Sequence, residues 1–172
     1  MAKTIKSGAS ARAFLAVSFV AFGLACGARA QELRPALTTD SAKTIVAGCE
    51  SDAVEKGVRL VMSVVDQGRD LMAFLRMDGA PPGAIEIAPW KANSAASFPR
   101  STKAAAERAK EFPAGAAAPN IAVFEGGEPI FTKDGVHIGA VGVSGAAAAS
   151  EDGDCARAGV IAAGLVYERP KG

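Results

Sequence analysis

The stretch VRLVMSVVDQGRDLMAFLRM, residues 58–77, decides how this chain folds. Two runs rich in Val, Leu, Met and Phe, 58–66 and 69–77, flank the short connection Gln67-Gly68. Such runs fit a pleated, half-buried surface, and so short a glycine-containing link forces the second run back beside the first. The stretch therefore predicts an antiparallel hairpin.

On its N-terminal side, Thr38 or Thr39 caps a helix, with Asp40 in the first turn at the positive end of the dipole. Ala42, Ile45, Val46, Cys49 and Ala53 follow at helical spacing, and Gly57 is a natural stop. On the C-terminal side, Asp78-Gly79-Ala80-Pro81-Pro82-Gly83 breaks regular structure. An Ala-rich helix is expected over 85–96, either starting near Ala88 or kinked at Pro89, because proline lacks the N–H a helix interior needs. A second short helix is expected over 102–110, then a loop over 112–119. Three strands follow, 121–124, 129–132 and 136–144, with Gly126-Gly127 and Asp134-Gly135 as turns. A last helix opens at Ser150 with Glu151, Asp152 and Asp154 in its first turn, and carries Ala156, Val160, Ala163 and Tyr167 on one face. Strands joined by tight turns and helices at both ends predict an α+β fold: a five-stranded antiparallel sheet covered by helices.

The first thirty residues read differently. Lys3, Lys6 and Arg12 precede an uncharged, mostly apolar stretch of sixteen residues, 13–28, which is short of the roughly 20 a bilayer span needs. Ala28-Arg29-Ala30 supplies the small-x-small pattern of a cleavage site. Residues 1–30 are thus expected to be a cleavable secretory signal, with 31–172 as one domain, periplasmic or secreted. An uncleaved membrane anchor is the lesser alternative. A lipoprotein modified at Cys26 would want a large aliphatic residue where Gly23 stands. The signal carries four of the nineteen Lys and Arg, which leaves fifteen against eighteen acids, a net of −3. That excess of acid speaks against a nucleic-acid binder, and no later stretch is apolar enough for a membrane span.

Several segments together resemble the GlcG/HbpS family of haem-binding proteins. They are Leu37-Thr38, Val64 to Gly68, Arg76 to Pro82, Ile85-Glu86-Ile87-Ala88 with Lys91-Ala92, Phe98 to Lys103, and Ile138 to Ala146. The resemblance implies a profilin-like fold, haem as cofactor, a homo-oligomer, and for some members a sensor-kinase partner. It also implies that the Thr102 segment touches haem. In a profilin-like arrangement the terminal helices are neighbours, so Cys49 and Cys155 are expected to form a disulfide after export.

Haem requires an apolar slot, an axial ligand for iron and cations for its propionates. Axial candidates after residue 30 are His137, Met62, Met72, Met77, Tyr167 and the two cysteines. His137, the only histidine, either ligates iron or is a half-buried strand residue bonded to backbone. Lys91, Arg100, Lys103 and Thr102 form the densest cluster of cations and hydroxyls, suited to carboxylates; Thr102 either contacts the iron or simply caps the helix that follows. Arg76 and Met77 either form one wall of a pocket or close a strand with an Arg76–Asp78 pair. The glycines of 138–145 point to close approach of a helix or a subunit to the sheet. No Gly-x-Ser-x-Gly elbow, metal-spaced His/Cys pair or Cys-x-x-Cys-His is present. The reading is an exported protein acting by reversible haem binding, with haem or redox sensing as a finer possibility; an enzyme or accessory protein handling a small carboxylate is the alternative.

Overall fold

The structure, a computed structural model, describes residues 33–171. The expected signal over 1–30, with its anchor and lipoprotein alternatives, lies outside the described residues. Along the chain run α1 (Thr39–Glu55), β1 (Val61–Asp66), β2 (Leu71–Arg76), α2 (Ala84–Ser97), α3 (Thr102–Glu111), a 3₁₀ turn (Pro113–Ala117), β3 (Gly127–Phe131), β4 (His137–Ser144) and α4 (Ala149–Ala162). Among the described residues no helix is long and apolar enough to cross a membrane.

The hairpin forms as expected, Val61 opposite Arg76 and Met62 opposite Leu75. Its turn works differently, however. The Asp66 carboxylate accepts from the Gly68 and Asp70 amides at 2.7 and 3.0 Å, and Arg69, not the glycine, takes the left-handed conformation at φ 73°. The sheet has four strands in the order β2-β1-β4-β3, all antiparallel, not five. The missing strand is 121–124. Its Ala122 amide donates to the Ser94 hydroxyl of α2 at 3.0 Å, and Phe124 packs edge-on against Trp90. A segment whose donor is satisfied by a helix side chain needs no ladder.

Both faces of the sheet are covered, so β1 and β4 are buried along almost their whole length while β2 stays an exposed edge. On one face α1 and α4 pack together over Met62, Val64, Val141 and Val143. There Cys49 and Cys155 are disulfide-bonded, their Cα atoms 4.6 Å apart. Thr38 caps α1 by accepting from the Ser41 amide at 3.1 Å, and Gly57 ends it at φ 69°. On the other face α2 runs unbroken through Pro89 from Ala84, so a start near Ala88 does not hold. It lies so close to β4 that a Cβ on Gly142 would fall on the Ala88 carbonyl and the Ala92 amide. The helix alternative for the β4 glycines is thereby realised at this position.

Two helix ends differ from expectation. Ser101, not Thr102, caps α3, accepting from the Ala104 amide at 3.1 Å. The last helix starts at Ala149, with the Glu151 carboxylate accepting from the Ala148 amide, and stops at Ala162, so Tyr167 lies beyond it. Gly164, at φ 70°, turns the chain there, and Val166 then bridges to Phe131 at the β3 edge.

Candidate functional site

Chemistry gathers where α2, α3 and α4 meet the chain entering β3. Lys91 of α2 is 1% exposed, and its ammonium donates to Asp152 at 2.7 Å and to the Val143 carbonyl at 3.0 Å. Burial pulls its pKa down and that of Asp152 up, while the bond between them opposes both shifts. Asp152, in the first turn of α4, also accepts from the Ala146 amide at 3.0 Å, so it is a buried partner as well as a helix-dipole acid. Lys91 therefore does not join Arg100 and Lys103 in one cationic cluster.

Gly126-Gly127, expected as a turn, carries the chain over this pair. Gly126 sits at φ 128°, and a Cβ on Gly127 would collide with the Lys91 backbone and the Thr102 methyl. Thr102 is fully buried, and its hydroxyl oxygen accepts from the Gly127 amide at 2.9 Å. It positions the loop and has no open path to a ligand.

Beyond the glycines, Arg157 of α4 gathers three acids. It donates to Glu128 at 2.7 Å, to Asp154 at 2.7 Å and to Glu125 at 3.1 Å; Lys103 lies 3.4 Å from Glu125. Glu128 is 2% exposed, and burial pushes its carboxyl up to about 7 despite the Arg157 charge.

Two cavities flank α3, and Arg100 borders both. One is an apolar cleft of about 260 Å³ walled by Phe98, Phe112, Ile121, Val123 and the alanines of α3, with Arg100 and Arg108 at its border. The Arg100 guanidinium lies 5.4 Å from the Phe98 ring centre. The other is a polar cavity of about 490 Å³ at the start of α3, closed by Glu128, Phe131, Arg157 and the Tyr167–Arg169 segment.

Of the expected residues, Arg100 and Lys103 meet, both bordering the polar cavity. Arg76 and Met77 do not join them. The Arg76 guanidinium donates to the Ala80 carbonyl at 3.0 Å rather than to Asp78, and Met77 is core, its sulfur accepting from the Leu60 amide. His137 lines neither cavity. It packs on Phe131, its ring centre 5.5 Å away, and burial with the nearby Arg169 charge holds its pKa down, opposed by a bond at the Gly139 backbone. Its Nε2 has no hydrogen-bond partner among the described residues. Arg108, Phe112, Glu128, Arg157 and Arg169 were not foreseen. Only Ala105, Ala109 and Phe112, at helical spacing beside Arg108, left a trace in the sequence.

Residues 37–161 match the family described as haem degrading protein HbpS-like. The chain belongs to the HbpS-like family. It is 37% identical over 109 residues to Protein GlcG of Escherichia coli K12, an alignment that covers 63% of this chain and 81% of that protein. The crystal structure of HbpS superposes with a TM-score of 0.71 at 30% identity, over 76% of this chain and 92% of that one. The PduOC:heme complex shares the fold at a TM-score of 0.71 and 23% identity, over 78% of this chain and all of that one.

The residues of the apolar cleft fit two of haem's three needs. Aromatic and aliphatic walls suit the ring, and two arginines suit the propionates. The third need is not met there, because no His, Met, Cys or Tyr lines the cleft.

Proposed function

We propose that this protein binds haem reversibly in the apolar cleft beside α3, with Arg100 and Arg108 pairing the propionates. One observation carries the reading: an apolar slot with two arginines, next to the Thr102 segment that the family resemblance singles out. Membership in the HbpS-like family and the heme bound by the PduOC neighbour support it. Bound haem would supply redox-active iron. This chain's part is to bury one edge of the ring between Phe98 and Phe112, exclude water there and hold the two carboxylates.

At about 260 Å³ the cleft is smaller than the roughly 300–1,000 Å³ of sites that bury most of a drug-sized ligand. The rest of the ring needs a second cover, which supports a homo-oligomer in which another copy closes the site. Without a strong protein ligand for iron in the cleft, affinity rests on apolar contact and charge pairing, which suits reversible capture over permanent residence. Export to the periplasm or beyond is part of the same reading. The disulfide between the only two cysteines after residue 30 supports it, since such bonds persist in oxidising compartments. Sensing of haem or redox state through a sensor kinase rests on the family resemblance alone.

A haemin titration followed at the Soret band tests the site. Saturable binding is expected, weakened on the order of ten-fold by Arg108→Ala or Phe112→Ala and unaffected by His137→Ala. A response that never saturates ends the haem reading. Loss in His137→Ala alone moves the site to the Phe131 side of the sheet.

A further inference from the structure

The polar cavity shares Arg100 with the haem cleft, and its charges do not balance. Four cations line it: Arg100, Lys103, Arg157 and Arg169. Arg157 is matched by Glu125, Glu128 and Asp154, and Lys103 by Glu125. Arg100 and Arg169 form no ion pair among the described residues, and Glu168, the other acid lining the cavity, pairs with neither. The Arg100 Nε is buried without a hydrogen-bond partner there, and the Arg169 guanidinium lies 5.1 Å from the Phe131 ring centre. The first turn of α3 borders the same space through Ser101, Lys103 and Ala104, adding the positive end of its dipole. A cavity with two unmatched guanidinium groups from two chain segments is built to receive an anion.

The acids select which anion. Glu128, buried against Arg157 beside Glu125 and Glu168, titrates close to neutrality. Protonated, it is a hydrogen-bond donor to a carboxylate oxygen, and a dicarboxylate spreads its two charges over two groups, one for each unmatched arginine, whereas a phosphate dianion holds both on one. The Arg fork matches a carboxylate in two parallel bonds, and the Tyr167 hydroxyl is a further donor lining the cavity. We propose that this cavity binds a small aliphatic dicarboxylate, one carboxylate on Arg100 and the other on Arg169, at a second site that competes with the haem cleft for Arg100.

Calorimetric titration with succinate is the test, with 1,4-butanediol as its uncharged analogue and inorganic phosphate as the competing anion class. Succinate should saturate, butanediol should give no binding heat, and phosphate should bind more weakly. Arg169 is exposed and outside the cleft, so Arg169→Ala should keep the wild-type melting temperature and haemin affinity. It should weaken succinate on the order of ten-fold. No saturable succinate binding, unchanged affinity in Arg169→Ala, or phosphate as tight as succinate would each overturn the proposal. Succinate binding retained where haemin fails to saturate would end the haem reading and leave this one standing.

Discussion

The two faces of α4 meet different worlds. Through Cys155, Ala156 and Val160 the helix closes on Ala42, Ile45, Cys49 and Ala53 of α1, a layer of small apolar side chains with no buried charge and one covalent bond. Through Asp152 and Arg157 its other face reaches Lys91, Glu125 and Glu128, a layer of largely buried ions. Apolar closure stabilises at almost no electrostatic cost. Buried ion pairs rarely repay their desolvation against apolar side chains of equal size. Their survival near the cavities marks that face as the functional one.

The largest expected effect lies in the apolar layer. The disulfide joins residues 106 apart, and removing it with Cys49→Ala and Cys155→Ala should lower stability by up to about 4–5 kcal/mol in the chain-entropy view. Urea midpoints of wild type and variant check this, and haemin binding should survive in the folded variant. An unchanged midpoint would show that this layer owes nothing to its bond.

Lys91→Met comes next, at about 3–5 kcal/mol, because it strands the Asp152 carboxylate in a dry site. The pair Lys91→Met with Asp152→Leu should recover much of that loss. A double variant whose loss is the sum of the two single losses would contradict the buried pair as a coupled unit.

Glu128 sharpens the contrast through pH. Its folded carboxyl titrates at about 7 against an ordinary 4.5, so the folded chain holds the extra proton between those values. Its contribution is therefore present in full below pH 4.5 and lost as pH rises through about 7. Wild type should lose on the order of 2–3 kcal/mol relative to Glu128→Gln across that window. Parallel stability curves for the two proteins from pH 4.5 to 8 would show that Glu128 does not carry the dependence.

The smallest effect is expected far from either layer. Arg76→Ala removes one part-buried bond to the Ala80 carbonyl and should change stability by about 0.5–1 kcal/mol. Haemin affinity should not move; a clear drop would return Arg76 to the binding site.

Much of the scaffold was legible because its signals are local. The hairpin, the Thr38 cap, the Gly57 stop and the apolar stripe of α1 each follow from neighbours within a few residues. The fifth strand was misread because 121–124 is as β-like as a true strand, and only a serine twenty-eight residues before Ala122 decides that α2 takes its hydrogen bond. The site was legible in part. Arg100 and Lys103 sit close together in sequence and in space. Lys91 looked like their companion until its partner proved to be Asp152, sixty-one residues away.

By itself, then, the sequence determined most of the element types, the antiparallel pairing of the hairpin and, through motifs kept in order, the family. The tertiary structure alone decided which charges are buried, which arginines stay unmatched and that two cavities of opposite character share Arg100. Periodicity and capping act over a turn or two of chain and can be read from it. Desolvation and charge pairing depend on what packs alongside, and in this fold those partners come from segments far apart in the chain.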